Sequence, residues 1–198
     1  MKSILLASVV CALSLVRGHA QEIGKPAPAF TAKNNRGEAV SLADYKGKTV
    51  VLEWINFECP FITKHYASGN MQKLQEDAAA KGIVWISVNS SAKGNQGYCS
   101  PEKMTECIAR EKSKAAQVLI DSDGIVGKSY AAKVTPHLFI INQDGVIVYD
   151  GAIDSIASTD VSDIANAEKL FANALAAVIA GKEVVNAKNK PYGCGVKY

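Results

Sequence analysis

The sequence has no apolar stretch long enough to cross a bilayer: its longest, Ile4 to Val16, falls well short of the roughly 20 residues a spanning helix needs. It has little cysteine, five residues in 198, which excludes a scaffold built from disulfides. No Cys-x-x-Cys occurs, and the three histidines are too far apart in the chain for a His-x-x-x-His metal site. No Ser-His-Asp arrangement or nucleotide fingerprint is visible, and Gly94-Asn95-Gln96-Gly97 lacks the strand–loop–helix setting of a phosphate cradle. What remains is an ordinary globular composition, 48% hydrophobic and 21% charged, of a length that suits one domain with a real core.

The first twenty residues read as a secretory signal peptide. Lys2 precedes the apolar run, and Arg17-Gly18-His19-Ala20 places small residues where a signal peptidase cuts before Gln21. The protein is therefore expected to be exported, periplasmic or secreted, with no membrane segment once residues 1–20 are gone. Cleavage removes Lys2 and Arg17 from the 22 basic residues, leaving about 20 against 19 acidic ones and a net charge of about +1. No basic surface for nucleic acid is expected from that balance. Cys11 leaves with the leader, and Cys59, Cys99, Cys107 and Cys194 stay. In an oxidising compartment an even number of thiols points to disulfides or redox chemistry.

Hydrophobic patterning predicts alternating strands and helices. Glu38–Leu42 reads as a short strand and Thr49–Ile55 as a central one, rich in β-branched residues. A helical stretch from Pro60 to Ala80 is expected to break at Ser68-Gly69-Asn70. Ile83–Val88 and Gln117–Ile120 are strands, with a helix starting at Ser100-Pro101 between them. A short helix reaches about Lys133. Leu138–Ile141 and Val146–Tyr149 form a hairpin around Asp144-Gly145. A last helix over 162–180 presents Ile164, Ala167, Phe171, Leu175, Val178 and Ile179 as one stripe. This order predicts an α/β sandwich, a central mixed sheet with helices on both faces, over residues 21–185, with a polar tail over 186–198.

Cys59 is the leading candidate for chemistry. It stands where the central strand ends and a helix begins, so its sulfur meets unpaired N–H groups and the positive end of the helix, which favours thiolate. Glu58 opposes this, and Lys64 and His65 on the same helix are placed to offset it. The alternative is a small buried residue in the core.

Gly24-Lys25-Pro26-Ala27-Pro28-Ala29-Phe30, Val40-Ser41-Leu42 with Tyr45-Lys46-Gly47-Lys48, Cys59-Pro60, Val134-Thr135-Pro136 and the Asn142–Gly151 hairpin together resemble the redoxin branch of the thioredoxin superfamily, which includes the alkyl hydroperoxide reductase/thiol-specific antioxidant proteins. The resemblance spans Ile23 to Gly181. It implies a thioredoxin-like three-layer sandwich, Cys59 at the redox-active position, and Thr135-Pro136 as a cis-proline substrate-binding loop. Ile62 stands where a Cys-x-x-Cys enzyme has its second cysteine. Asn56 and Leu52 stand where peroxiredoxins carry Thr or Ser and Pro. Cys-Pro-Phe and the late Gly193-Cys194 resemble a peroxiredoxin-like subgroup.

With no cysteine at 62, a resolving thiol must come from elsewhere, and Cys194, between two glycines, is the first choice. A static disulfide pinning the tail is the competing reading. Cys99 and Cys107 are a candidate structural disulfide, although a position nearly two turns inside a helix puts Cys107 far from Cys99. Asn56 is a candidate hydrogen-bond donor to a peroxide. Glu53, inside an apolar strand, is either a buried carboxylate relaying protons to Cys59 or a residue that faces a polar edge or pairs with a lysine. Trp54 and Trp85 read as core. The activity expected is thiol-dependent oxidoreduction, either exchange with a disulfide or reduction of a peroxide, with an external thiol reductant and neither cofactor nor metal. A different class, a thioredoxin-like binding module such as a copper carrier, would use Cys59 with His65 or His137.

Overall fold

A computed structural model describes residues 22–198; the expected signal peptide, with Cys11, lies outside the described residues. The strands are β1 (Thr31–Asn34), β2 (Ala39–Ser41), β3 (Val50–Trp54), β4 (Val84–Asn89), β5 (Gln117–Ile120), β6 (Val134–Thr135), β7 (His137–Ile141), β8 (Ile147–Gly151) and β9 (Cys194–Gly195). The helices are α1 (Pro60–Ala67), α2 (Asn70–Ala80), α3 (Pro101–Arg110), α4 (Ile125–Ser129) and α5 (Leu170–Ile179). Seven strands form one sheet in the order β2-β1-β5-β4-β3-β7-β8, and β6 pairs with β9 beside it. β3, β4 and β5 are parallel, while β7 runs antiparallel to β3.

Alternation along the strands builds two cores. Val50, Leu52 and Trp54 of β3 join Ile86, Val88, Phe139 and Ile141 on one face, covered by α4 and Phe30. Val51 and Ile55 face the other way, with Trp85, Leu138 and Ile140, under side chains of α1, α2, α3 and α5. The expected sandwich, with helices on both faces of a mixed sheet, is what forms. Among the described residues no helix is long and apolar enough to cross a membrane.

The break between α1 and α2 falls at Gly69, whose φ of +76° is the left-handed conformation that glycine adopts freely. The single last helix expected over 162–180 is instead a 3-10 turn, Val161–Ala165, followed by α5. Between them Ser155 takes the backbone of Glu168, through its N–H to Glu168 O (3.1 Å) and its Oγ from Glu168 N–H (2.9 Å). Those bonds replace the ones a continuous helix would make. Ile179, assigned to the buried stripe, is 47% exposed. β1 has no counterpart in the hydrophobic pattern, because Thr31-Ala32-Lys33-Asn34 is mostly polar; it is held by pairing with both β2 and β5.

The polar tail is also structured. Val134 pairs with Gly195 and Thr135 with Cys194 in an antiparallel ladder. Val196 N–H donates to Lys133 O (3.0 Å), Ala92 N–H to Lys197 O (2.7 Å) and Tyr198 OH to Ala132 O (2.8 Å). The segment therefore runs across the end of the sheet where β3 delivers Cys59.

Candidate functional site: a dithiol formed by α1 and β9

Cys59 is the N-cap of α1, with extended φ and ψ of −82° and 124°, and Pro60 opens the helix without needing an N–H partner. Its side chain is fully buried. The sulfur lies 3.2 Å from Thr135 O, and the thiol of Cys194 meets it across the β6–β9 ladder. Thr135-Pro136 is cis. Burial alone would push the Cys59 thiol up. Hydrogen bonds from Cys194, at Thr135 and from the Ile62 N–H outweigh it, and the thiol is held below its ordinary value. Burial pushes Cys194 the other way, up to about 12, helped by its hydrogen bond to Cys59 and by the charge there. The two thiols thus titrate unequally, and Cys59 gives up its proton before Cys194.

Gly193 makes the approach possible. Its φ is +136°, and a Cβ there would overlap the Thr135 carbonyl. One residue earlier, Tyr192 packs edge-on against Phe61 of α1, with ring centroids 5.7 Å apart, and its hydroxyl donates to Asp154. Neither Tyr192 nor Asp154 carries a sequence signal, since they meet across 38 residues.

Lys64 and His65 do not compensate Glu58 at the thiol as expected. Lys64 Nζ turns to Ile156 O (3.4 Å), Ser158 Oγ (3.3 Å) and Asp154 Oδ2 (4.0 Å). His65 Nε2 lies 3.8 Å from the same Asp154 oxygen, and its Nδ1 accepts from the Asn70 amide at 2.9 Å. Burial and the charge of Lys64 outweigh Asp154 and hold His65 neutral, with a pKa of about 4. Glu58 is drawn off as well, accepting from Gly97 N–H at 3.1 Å. His137 donates through Nε2 to Asp150 Oδ1 at 2.7 Å, as a strand-end hydrogen-bond partner. Among the described residues no three His, Cys, Asp or Glu side chains converge on a metal-sized space.

Asn56 is buried, and its amide oxygen accepts from Glu58 N–H (2.9 Å) in a turn that leads into Cys59. Glu53 is fully buried and has no lysine beside it. Its carboxylate accepts from Trp85 Nε1 (2.8 Å), Ser87 Oγ (2.8 Å), Gln75 Nε2 (3.3 Å) and Tyr66 OH (3.4 Å). Burial raises its pKa to about 7 against those four donors. Tyr66 continues the chain to Ser113 (3.5 Å), away from the dithiol.

Cys99 and Cys107 also meet. Both are buried, Cys99 just before the α3 cap Ser100 and Cys107 on the inner face of α3, and their thiols share a hydrogen bond. The loop before α3 folds back along the helix, which overcomes the separation expected from sequence. Burial and the neighbouring Cys107 push Cys99 up to about 11. The four cysteines among the described residues are thiols, arranged as two pairs.

Residues 22–168 match the Redoxin family. The chain belongs to the Redoxin family. It is 31% identical over 125 residues to the Thioredoxin-like protein YneN of Bacillus subtilis, spanning 63% of this chain and 68% of that one. It is 26% identical over 129 residues to the thiol-disulfide oxidoreductase ResA of Bacillus thuringiensis, spanning 65% and 69%. A crystal structure of an uncharacterized conserved protein from Geobacillus kaustophilus superposes with a TM-score of 0.75 at 28% identity, covering 89% of this chain and 92% of that one. Within this redoxin the family match stops before α5 and β9, so the strand carrying Cys194 is an addition beyond the matched region. Relatives of these kinds place the chain among thioredoxin-like oxidoreductases.

Proposed function

We propose that this redoxin is an exported thiol–disulfide oxidoreductase that cycles Cys59 and Cys194 between dithiol and disulfide. The observation that carries the reading is the meeting of these two thiols beside Thr135-Pro136. In the oxidative half-reaction strand β9 lifts, and the Cys59 thiolate attacks one sulfur of a substrate disulfide. That forms a mixed disulfide and releases the other substrate sulfur as thiolate. The Cys194 thiol then gives its proton to that leaving group and attacks Cys59. The second substrate thiolate departs, leaving a Cys59–Cys194 bond. An external thiol restores the dithiol. Thr135 supplies the backbone oxygen that fixes the Cys59 sulfur, and Pro136 the buried wall behind it. Export is supported by the apolar stretch Ile4–Val16 with its Ala20 cleavage position.

Disulfide exchange is favoured over peroxide reduction because a second thiol, Cys194, meets Cys59, while Leu52 and Asn56 stand where peroxiredoxins carry Pro and Thr or Ser. Cys99 and Cys107 are proposed as a second bridge, structural rather than catalytic, tying the loop that holds Glu58 to α3.

The pH dependence of Cys59 alkylation, mapped by mass spectrometry, tests the proposal. Cys59 is expected to label as a thiolate at lower pH than Cys99, and Cys194→Ala to raise its midpoint by removing the donor. Oxidation with glutathione disulfide is expected to yield a peptide pair linked through Cys59 and Cys194. An inert Cys59 that never links to Cys194 would remove the proposal.

A further inference from the structure

The two sulfurs of this couple are not equally open to a reagent. Cys59 is fully buried, under the Thr135 carbonyl and the Cys194 thiol, with Ile62 and Phe57 in the core around it. Cys194 is half-exposed, and Gly195 next to it is exposed. In the dithiol, β9 is held by non-covalent contacts alone, among them the short ladder to β6, Val196 on Lys133, Lys197 on Ala92 and Asn95, Tyr192 on Phe61 and Asp154, and Tyr198 on Ala132. It can lift. A bond between sulfurs already in contact pins β9 where it lies, so Cys59 stays covered for as long as the disulfide exists.

We propose that the disulfide is reduced through Cys194, by a low-molecular-weight thiol. This rests on the reading of Cys59 and Cys194 as one redox couple. The incoming thiolate bonds to the Cys194 sulfur, the Cys59–Cys194 bond breaks, and its electron pair leaves with Cys59 as thiolate. A second thiolate attacks the sulfur of the first, releasing the oxidised small disulfide and the Cys194 thiolate, which takes a proton from solvent. Two thiols are oxidised and one protein disulfide is reduced.

Displacement at sulfur runs along the S–S axis, so attack on half-exposed Cys194 comes from the side opposite buried Cys59. The leaving sulfur is Cys59 at the N-terminus of α1, where the Ile62 N–H and the helix end favour thiolate. The same strand selects the size of the reductant. A polypeptide partner presenting an extended cysteine segment would add to the edge of β6, as peptides add to free sheet edges. Here Cys194–Gly195 already fills that edge. A compact thiol needs no edge.

Wild-type protein, oxidised and confirmed as the Cys59–Cys194 species, would be mixed with glutathione for milliseconds to seconds. It would then be quenched in excess N-ethylmaleimide and digested for mass spectrometry. Glutathione is expected on Cys194, with maleimide on Cys59, at least tenfold more often than the reverse. Glutathione on Cys59, an even split, or complete reduction without a trappable adduct on Cys194 would overturn the inference while leaving the dithiol couple standing. Failure of the oxidised species to form at all would instead remove the couple itself.

Discussion

Replacing Glu53 by Gln tests the buried carboxylate with a number attached. The carboxyl is enclosed on the α1–α2 side of β3, and burial carries its pKa from an ordinary 4.5 to about 7. Between about pH 4.5 and 7 the folded protein therefore keeps a proton that the unfolded chain has released, so stability falls as pH rises through that window. At about 1.36 kcal/mol per pH unit, roughly two and a half units amount to about 3 kcal/mol, fully lost above pH 7. A glutamine keeps an oxygen for Trp85 and Ser87 and turns its NH2 toward the Tyr66 oxygen, so the site stays filled without the titration. Urea unfolding of the reduced proteins would be measured from pH 4.5 to 8. The Gln variant should gain on wild type by about 3 kcal/mol between the two ends, whatever its offset at low pH. Taking the difference cancels His65, which leans the opposite way over much of the same window. Parallel profiles for the two proteins would refute the reasoning and mean that water or a cation compensates the ionised carboxylate.

Three further outcomes follow from other contacts. His65 is held neutral, with its pKa lowered from 6.5 to about 4, so its own contribution falls as pH falls through that interval, against the gain at Glu53. His65→Gln should therefore gain on wild type as pH falls in the same unfolding series, and parallel profiles would remove His65 from the balance. Gly193→Ala forces a Cβ onto the Thr135 carbonyl, and formation of the Cys59–Cys194 disulfide, followed by mass, should slow at least tenfold. Unaltered closure would show that the glycine does not set the register. A Cys99–Cys107 bond would close a short loop worth about 2–3 kcal/mol. Oxidised wild type should exceed Cys107→Ser by about that margin in thermal or urea unfolding, and reductant should erase most of the gap. A gap that ignores reductant would point to packing alone.

What could be read from the sequence depended on how local each signal is. β3 and β4 were legible because apolar β-branched residues are consecutive there, and Cys59 because Pro60 marks the start of a helix directly after a strand. Gly193 and Gly195 drew attention to Cys194. β1 and β9 escaped, being short and polar, with stability that comes from partners distant in sequence. The same holds for the Tyr192–Asp154 clamp, and for Lys64 and His65. Helix position placed those two side chains near the thiol, but a buried aspartate from the loop after β8 took them. Glu53 was correctly singled out as odd. Its actual partners, Trp85, Ser87, Gln75 and Tyr66, converge from three elements, a juxtaposition that no spacing encodes.

The sheet separates two tryptophans as well as two cores. Trp85 donates its indole N–H to the Glu53 carboxylate, while Trp54, on the opposite face, donates to Ser90 Oγ at 3.1 Å. The protein thus carries two built-in optical probes, one on each face of the sheet. With Trp54 replaced by Phe, emission from Trp85 becomes a direct meter of the charge at Glu53, rising and fading around neutral pH. With Trp85 replaced instead, the remaining fluorescence follows only the far face. A redoxin of this design can be watched from either side of its sheet without a label attached.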